Sequence, residues 1–135
     1  MTAPSPALPT TDPLVLIVDD NERNRKLTRD VLRATGFRTI EAATAGAGIV
    51  LATERLPDVI LMDLRLPDMD GADAARKLGA GARTARIPVV ALSSAPLAGS
   101  GDWFHAAGFA GYVEKPFSVR AFPDLVRGYC AAGRT

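Results

Sequence analysis

The chain has 135 residues, 16 Lys and Arg against 15 Asp and Glu, and 47% hydrophobic residues, which is one domain of ordinary globular composition. A net charge of +1 argues against a dedicated nucleic-acid binder or a basic membrane-surface module, since both need an excess of positive charge. One cysteine (Cys130) and one histidine (His105) exclude an internal disulfide, a thiolate zinc site and any site needing two histidines.

No apolar run approaches the roughly 20 residues that cross a bilayer, and Met1–Asp12 lacks the pattern of a signal peptide. The expectation is a soluble, cytoplasmic protein. Residues 1–12 hold three prolines among small polar residues and read as a flexible arm; 13–135 read as the folded domain.

From there strand and helix patterns alternate. Leu14–Val18 is a β-branched apolar run suited to a strand buried on both faces. Asn21–Thr35 places Leu27, Val31 and Leu32 at helical spacing and stops at Gly36, a C-cap residue. Arg38–Ala42 suits an edge strand, Thr44–Glu54 a helix, and Val59–Met62 a second buried strand that runs into Asp63. Asp73–Leu78 reads as the third helix and Pro88–Leu92 as another strand. Asp102–Ala107 reads as a helix ending at Gly108, Gly111–Val113 as a short strand and Ser118–Ala132 as the last helix. Five βα units in alternation predict an α/β fold, a doubly wound parallel sheet with helices on both faces. The flavodoxin-like order 2-1-3-4-5 is the common arrangement for five strands.

Ligands in such sheets bind beyond the carboxyl ends of the strands. Asp19 and Asp20 follow the first strand, Asp63 the third, Ser93 and Ser94 the fourth, and Glu114, Lys115 and Pro116 the fifth. Each has an ordinary explanation when taken singly: an N-cap aspartate, a strand-end hydroxyl, a solvated lysine. Their joint placement at successive strand ends does not. Three carboxylates in one pocket repel one another. A divalent cation relieves that repulsion, and oxygen ligands without cysteine or paired histidine point to Mg2+. A lysine and a hydroxyl add partners for phosphoryl oxygens, and a carboxylate can act as the nucleophile that forms an acyl-phosphate. The set suits transfer of a phosphoryl group onto aspartate.

The pieces LIVDDNERNRKL (16–27), DVILMDLRLPDMDG (58–71), PVVALSSA (88–95) and GYVEKPFS (111–118) resemble the receiver domain of bacterial two-component response regulators, over 14 to about 130. The resemblance implies that Asp63 is the phosphoacceptor. It implies that Asp19, Asp20, Asp63 and the backbone carbonyl of Arg65 hold Mg2+, and that Lys115, followed by a Pro116 that is usually cis, contacts the phosphoryl oxygens. Ser93 would be the switch hydroxyl and Tyr112 the switch aromatic. Pro67, Asp70 and Gly71 would form the turn after the acceptor strand. The implied partners are a sensor histidine kinase or histidine phosphotransfer protein as donor and a downstream protein as target, reached through a surface of the fourth helix, fifth strand and fifth helix. Nucleic acid and membrane are not expected partners, and nothing after residue 132 reads as an output domain. An aspartate-nucleophile phosphatase and a phosphorylation-independent adaptor are the alternatives. The first usually places its nucleophile in an Asp-x-Asp pattern after the first strand, and the second has no use for the acidic set.

Two segments depart from the family pattern. Ala95–Gly101 carries one proline and two glycines where the fourth helix usually begins, which predicts a late start near Ser100–Asp102 after a mobile stretch. Pro123 interrupts the last helix, which either begins near Phe122 or kinks; dimerisation through the usual face is then in question. Trp103, Phe104 and Phe109 are expected as core or partner anchors, His105 as an unremarkable helix residue, and Cys130 as a free buried thiol. Beside the acceptor, Arg65 and Ala95 in place of acids predict a long-lived phospho form.

Overall fold

In the computed structural model, residues 12–93, 106–114 and 120–132 are described. Five strands, β1 (Leu14–Val18), β2 (Arg38–Ala42), β3 (Val59–Asp63), β4 (Val89–Ser93) and β5 (Gly111–Glu114), alternate with helices α1 (Glu22–Ala34), α2 (Ala45–Arg55), α3 (Gly71–Ala80) and α4 (Phe122–Ala132). The strands form one parallel sheet in the order β2-β1-β3-β4-β5, as the alternation of short apolar runs and helices predicts. Most of the expected arm lies outside the described residues, as do 94–105 (with Trp103, Phe104, His105 and the start of the fourth helix) and 115–119 (with Lys115 and Pro116). Ala106 is helical and Gly108, at φ +101°, ends that turn as expected.

The continuous apolar strands bury both faces. Leu16 and Val18 of β1 join Ile60, Met62 and Ala91 in a cluster capped by alanine-rich α2 and α3. The alternate residues Val15 and Ile17 join Leu61 and Leu92 in a second cluster under Leu32 of α1 and Phe122 and Val126 of α4. The two sides are built differently. On the first, small residues bring helix close to sheet: a Cβ on Gly48 would lie 2.8 Å from a Val18 methyl. On the second, larger side chains fill the gap, and Phe122 and Leu32 are fully buried. Cys130 belongs to this second core as a buried thiol outside any disulfide, and Phe109 is a core residue of the first.

Three boundaries or faces differ from the sequence expectation. Leu27 is 50% exposed, because the buried face of α1 runs through Thr28 and Leu32, four residues apart, and Leu27 sits a full 100° off that line. The helix expected over Ser118–Ala132 begins at Phe122, the first of the two outcomes that Pro123 leaves open, after a turn at Arg120–Ala121. Pro123 therefore falls in the first turn, where its missing N–H is not needed, and the Leu125 amide closes the first helical bond to the Ala121 carbonyl at 3.2 Å. Finally, α3 runs two residues further at each end than Asp73–Leu78, with Gly71 and Gly79 inside it. Low helix propensity is overridden at Gly71 by packing, since a Cβ there would lie 2.7 Å from the Asp63 carbonyl oxygen.

The segment between β3 and α3 is fastened at both ends. Arg65 and Asp70 pair as an isolated antiparallel bridge, and the Gly71 amide donates to the Leu64 carbonyl at 3.0 Å. Asp68 reaches sideways to α2, accepting the Ala45 and Gly46 amides at 2.9 and 2.8 Å. The N-terminus of α2 is thus capped twice, by Thr44 in sequence (from the Ala47 amide, 3.1 Å) and by Asp68 across the fold. Those amides, Gly46 first and then Ala45, hold the Asp68 carboxyl below the usual aspartate range.

Two predictions follow from these contacts. Leu56, which caps α2 with φ +48°, is the one non-glycine residue in the left-handed region among the described residues. Leu56→Gly is expected to raise stability by about 1 kcal/mol, read as a higher urea midpoint at constant slope; a lower midpoint would mean that the half-exposed side chain contributes more than the strain removes. Asp68→Asn is expected to lower the urea midpoint at neutral pH. Because the folded-state pKa of Asp68 is depressed, its contribution is complete above the unfolded value of about 3.9 and is lost as pH falls through the lower folded value. The gap between parent and variant should therefore close on acidification; a gap that persisted in acid would assign it to shape, not charge.

Candidate functional site

The site lies where the chain reverses direction across the sheet, between β1 and β3. Register places its members before any side chain is considered. Val18 pairs with Met62, so the next residues, Asp19 and Asp63, emerge side by side from neighbouring strands. Asp63 pairs with Leu92, which puts Ser93 one step further along the next strand, and Ser93 in turn pairs with Glu114.

Asp19 is 1% exposed and held at several atoms. Its amide extends the ladder to the Ala42 carbonyl at 3.1 Å, and its Oδ1 accepts the Asn21 amide at 2.9 Å. Asn21 is the N-cap of α1, accepting from the Asn24 amide at 3.0 Å. Strand end, acidic pair and helix cap are thus one hydrogen-bonded unit: the residues that terminate β1 also start α1. Asp20 stands exposed at the mouth, and Asp63 is half-buried with its Oδ1 accepting the Arg65 amide at 3.0 Å. One carboxylate oxygen from each of Asp19, Asp20 and Asp63 lies within 4.8 Å of the other two. This is the cluster the sequence predicts. It combines three formal negative charges, one of them on a buried residue, with hard oxygen donors only.

Ser93 closes β4 with 6% exposure. Tyr112, opposite Ala91 in β5, is half-buried against the core cluster on the α2–α3 side. Arg65 is exposed on the rim, its backbone fixed by the bridge to Asp70. Lys115, placed at this edge by the sequence, lies outside the described residues.

Two contributors escape sequence reasoning. Arg25 of α1 donates from Nη1 to the Asp19 carbonyl at 2.7 Å, while its Nε lies 3.4 Å from Glu41 of β2. Arg29, one turn on, holds the other Glu41 oxygen at 2.9 Å, and this bond keeps the Arg29 guanidinium more firmly charged. Asp68 is the second, acting on α2 from 22 residues away. The only linear sign of the first is a pair of arginines four apart on the helix that follows the acidic pair. The second leaves no local sign at all.

Comparison with known proteins agrees with this geometry. The family described as response regulator receiver domain matches residues 15–127. The polar-differentiation response regulator DivK of Brucella ovis is 36% identical over 115 residues, covering 85% of this chain and 94% of its own. Among solved structures, the receiver domain of the sensor histidine kinase PA1611 of Pseudomonas aeruginosa, described with a magnesium ion coordinated in its active-site cleft, superimposes with a TM-score of 0.81 at 30% identity, over 90% of this chain and 99% of that one. The Vibrio cholerae chemotaxis protein CheY4 shares the fold, with a TM-score of 0.82 at 22% identity over 88% of this chain and 99% of that one. No helix among the described residues is long and apolar enough to cross a membrane. With its sheet order, its acidic cluster and a match that spans nearly the whole described chain, the protein belongs to the response regulator receiver domain family of two-component signalling.

Proposed function

We propose that Asp63 accepts a phosphoryl group from a phosphohistidine on a sensor kinase or histidine phosphotransfer protein, and that the phosphorylated chain signals by binding a downstream protein in the cytoplasm. The observation that carries this reading is the convergence of Asp19, Asp20 and Asp63 within 4.8 Å at the sheet's switch point. Three carboxylates so close are unfavourable unless a cation or protons offset them. The donor set is all oxygen, with one ligand buried and one open to solvent, which fits Mg2+, an ion that keeps several waters and takes one or two carboxylates. When bound, Mg2+ would supply positive charge to both the carboxylates and the phosphoryl oxygens.

The chain's own residues do the rest. The Arg65 amide, bonded to Asp63 Oδ1, orients the carboxylate. A carboxylate oxygen of Asp63 attacks phosphorus in line, the P–N bond to the donor imidazole breaks, and the imidazole nitrogen leaves with the bonding pair. Ser93 on the adjacent strand end would donate its hydroxyl to a phosphoryl oxygen, and Lys115 would add a point charge. We assign to Arg65, through its backbone carbonyl, a further contact with the ion. The added group carries about −1.5 to −2 charge by analogy with other phosphorylated side chains. Drawing Ser93 towards it would let Tyr112 turn inward and change the outer surface. The chemistry is limited to the protein's own phosphorylation and its later hydrolysis.

Incubation with acetyl phosphate and Mg2+ tests this. The parent should gain the mass of one phosphoryl group, and Asp63→Ala should gain none. No adduct on the parent, or steady turnover of unrelated phosphoesters, would overturn the reading, the latter in favour of a phosphatase. In the same assay, Arg65→Glu is expected to shorten the life of the phospho form several-fold, because an acid at the rim can position the attacking water where an exposed arginine does not. An unchanged decay rate would remove Arg65 from that role.

A further inference from the structure

The geometry points to Arg25 as a positioning residue for the metal-binding aspartates, an inference that rests on the receiver chemistry proposed above. Asp19 is gripped on both sides of its backbone. Ala42 of β2 takes its N–H at 3.1 Å, and the Arg25 guanidinium gives a hydrogen bond to its carbonyl at 2.7 Å. Arg25 is not a solvated helix arginine. Its side chain is 18% exposed, and its Nε is pinned 3.4 Å from Glu41, the residue just before Ala42 on the same strand. Glu41 is in turn fixed by Arg29 at 2.9 Å.

The result is a closed circuit. From Asp19 the chain runs through Asp20 to the Asn21 cap, then one turn along α1 to Arg25, and the Arg25 side chain returns to Asp19. The loop encloses the Asp19–Asp20 turn, fixes its backbone and holds the Asp19 carboxylate through the Asn21 amide. Arg25, Glu41 and Arg29 together carry one net positive charge, delivered to the rear of a pocket whose front carries three negative ones. Groups that orient metal ligands from behind typically change metal affinity by 10–100-fold when removed, and Arg25 occupies that place here.

A second arginine on the same helix supplies the control. Arg33 also ties α1 to β2, through Nε to the Thr39 hydroxyl at 2.8 Å, but it does so at the end of α1 away from the pocket. If Arg25 only fastened helix to sheet, Arg25→Gln and Arg33→Gln would behave alike. Mg2+ titration by calorimetry on the full chain separates the cases. Arg25→Gln is expected to raise the Mg2+ Kd by about 10-fold or more, with Arg33→Gln within about twofold of the parent. Arg25→Lys, which keeps the charge but offers a single point donor, should recover part of the affinity. A metal-free readout accompanies this: exchange of the Asn21 amide, bonded to Asp19 Oδ1, should quicken in Arg25→Gln and not in Arg33→Gln. A parent that takes the phosphoryl group and binds Mg2+, beside Arg25 variants of unaltered affinity, overturns the role of Arg25 alone. A parent that binds no Mg2+ overturns the receiver chemistry and this inference together.

Discussion

Asp19 and Asp63 emerge side by side because Val18 pairs with Met62 in a parallel ladder. Everything else at this edge of the sheet answers to the like-charge repulsion that this pairing creates. A soluble protein ordinarily keeps carboxylates apart or exposed, yet here the more deeply placed of the two is 1% exposed. The arrangement persists because the surrounding chain fixes it: a strand-ladder bond, a helix cap and an arginine all hold Asp19. The scaffold is what prevents the repulsion from relaxing by rearrangement. Receiver chemistry on this chain is therefore a property of the β1–β3 register first and of individual residues second.

Most of this was legible in the linear sequence, for a physical reason. Parallel strands buried on both faces must be continuously apolar, so Leu14–Val18 and Val59–Met62 announce themselves and the first polar residues after them mark the strand ends. Once the alternation gives the sheet order, Asp19, Asp20, Asp63 and Ser93 are placed without further information. What was not legible depends on contacts between elements. Leu27 looks like a core residue from its spacing, but the buried line of α1 runs through Thr28 and Leu32, which leaves Leu27 facing out. Gly71 looks like a helix breaker until the Asp63 carbonyl is placed against it. Asp68 reads as part of a turn, and only the fold brings it to α2.

The two faces of the sheet divide the work. On the α1–α4 side, bulky residues such as Phe122, Leu32 and Phe37 make a conventional core, and Arg127 ties α4 to the turn after α1 through the Thr35 carbonyl at 2.6 Å and by lying over the Phe37 ring. That side anchors α1, and with it the circuit that holds the acidic pair. On the other side α2 and α3 lie close to the sheet on alanine and glycine, and the segment from Asp63 to Gly71 is fastened to α2 by Asp68.

That division bears on how Asp63 is held. The Asp63 backbone has almost no slack: a single Cβ on Gly71 would lie 2.7 Å from the Asp63 carbonyl oxygen and 2.9 Å from the Leu64 Cα. The Arg65–Asp70 bridge and the Asp68 bonds hold the rest of the segment, and β1 and its acidic pair are locked from behind. Ser93 and Tyr112 lie on the other side of Asp63, at the end of β4 and on β5, the outer strand among the described residues, where Tyr112 is half-buried. Asp63 is thus held both from the β1 side and along the β3–α3 segment.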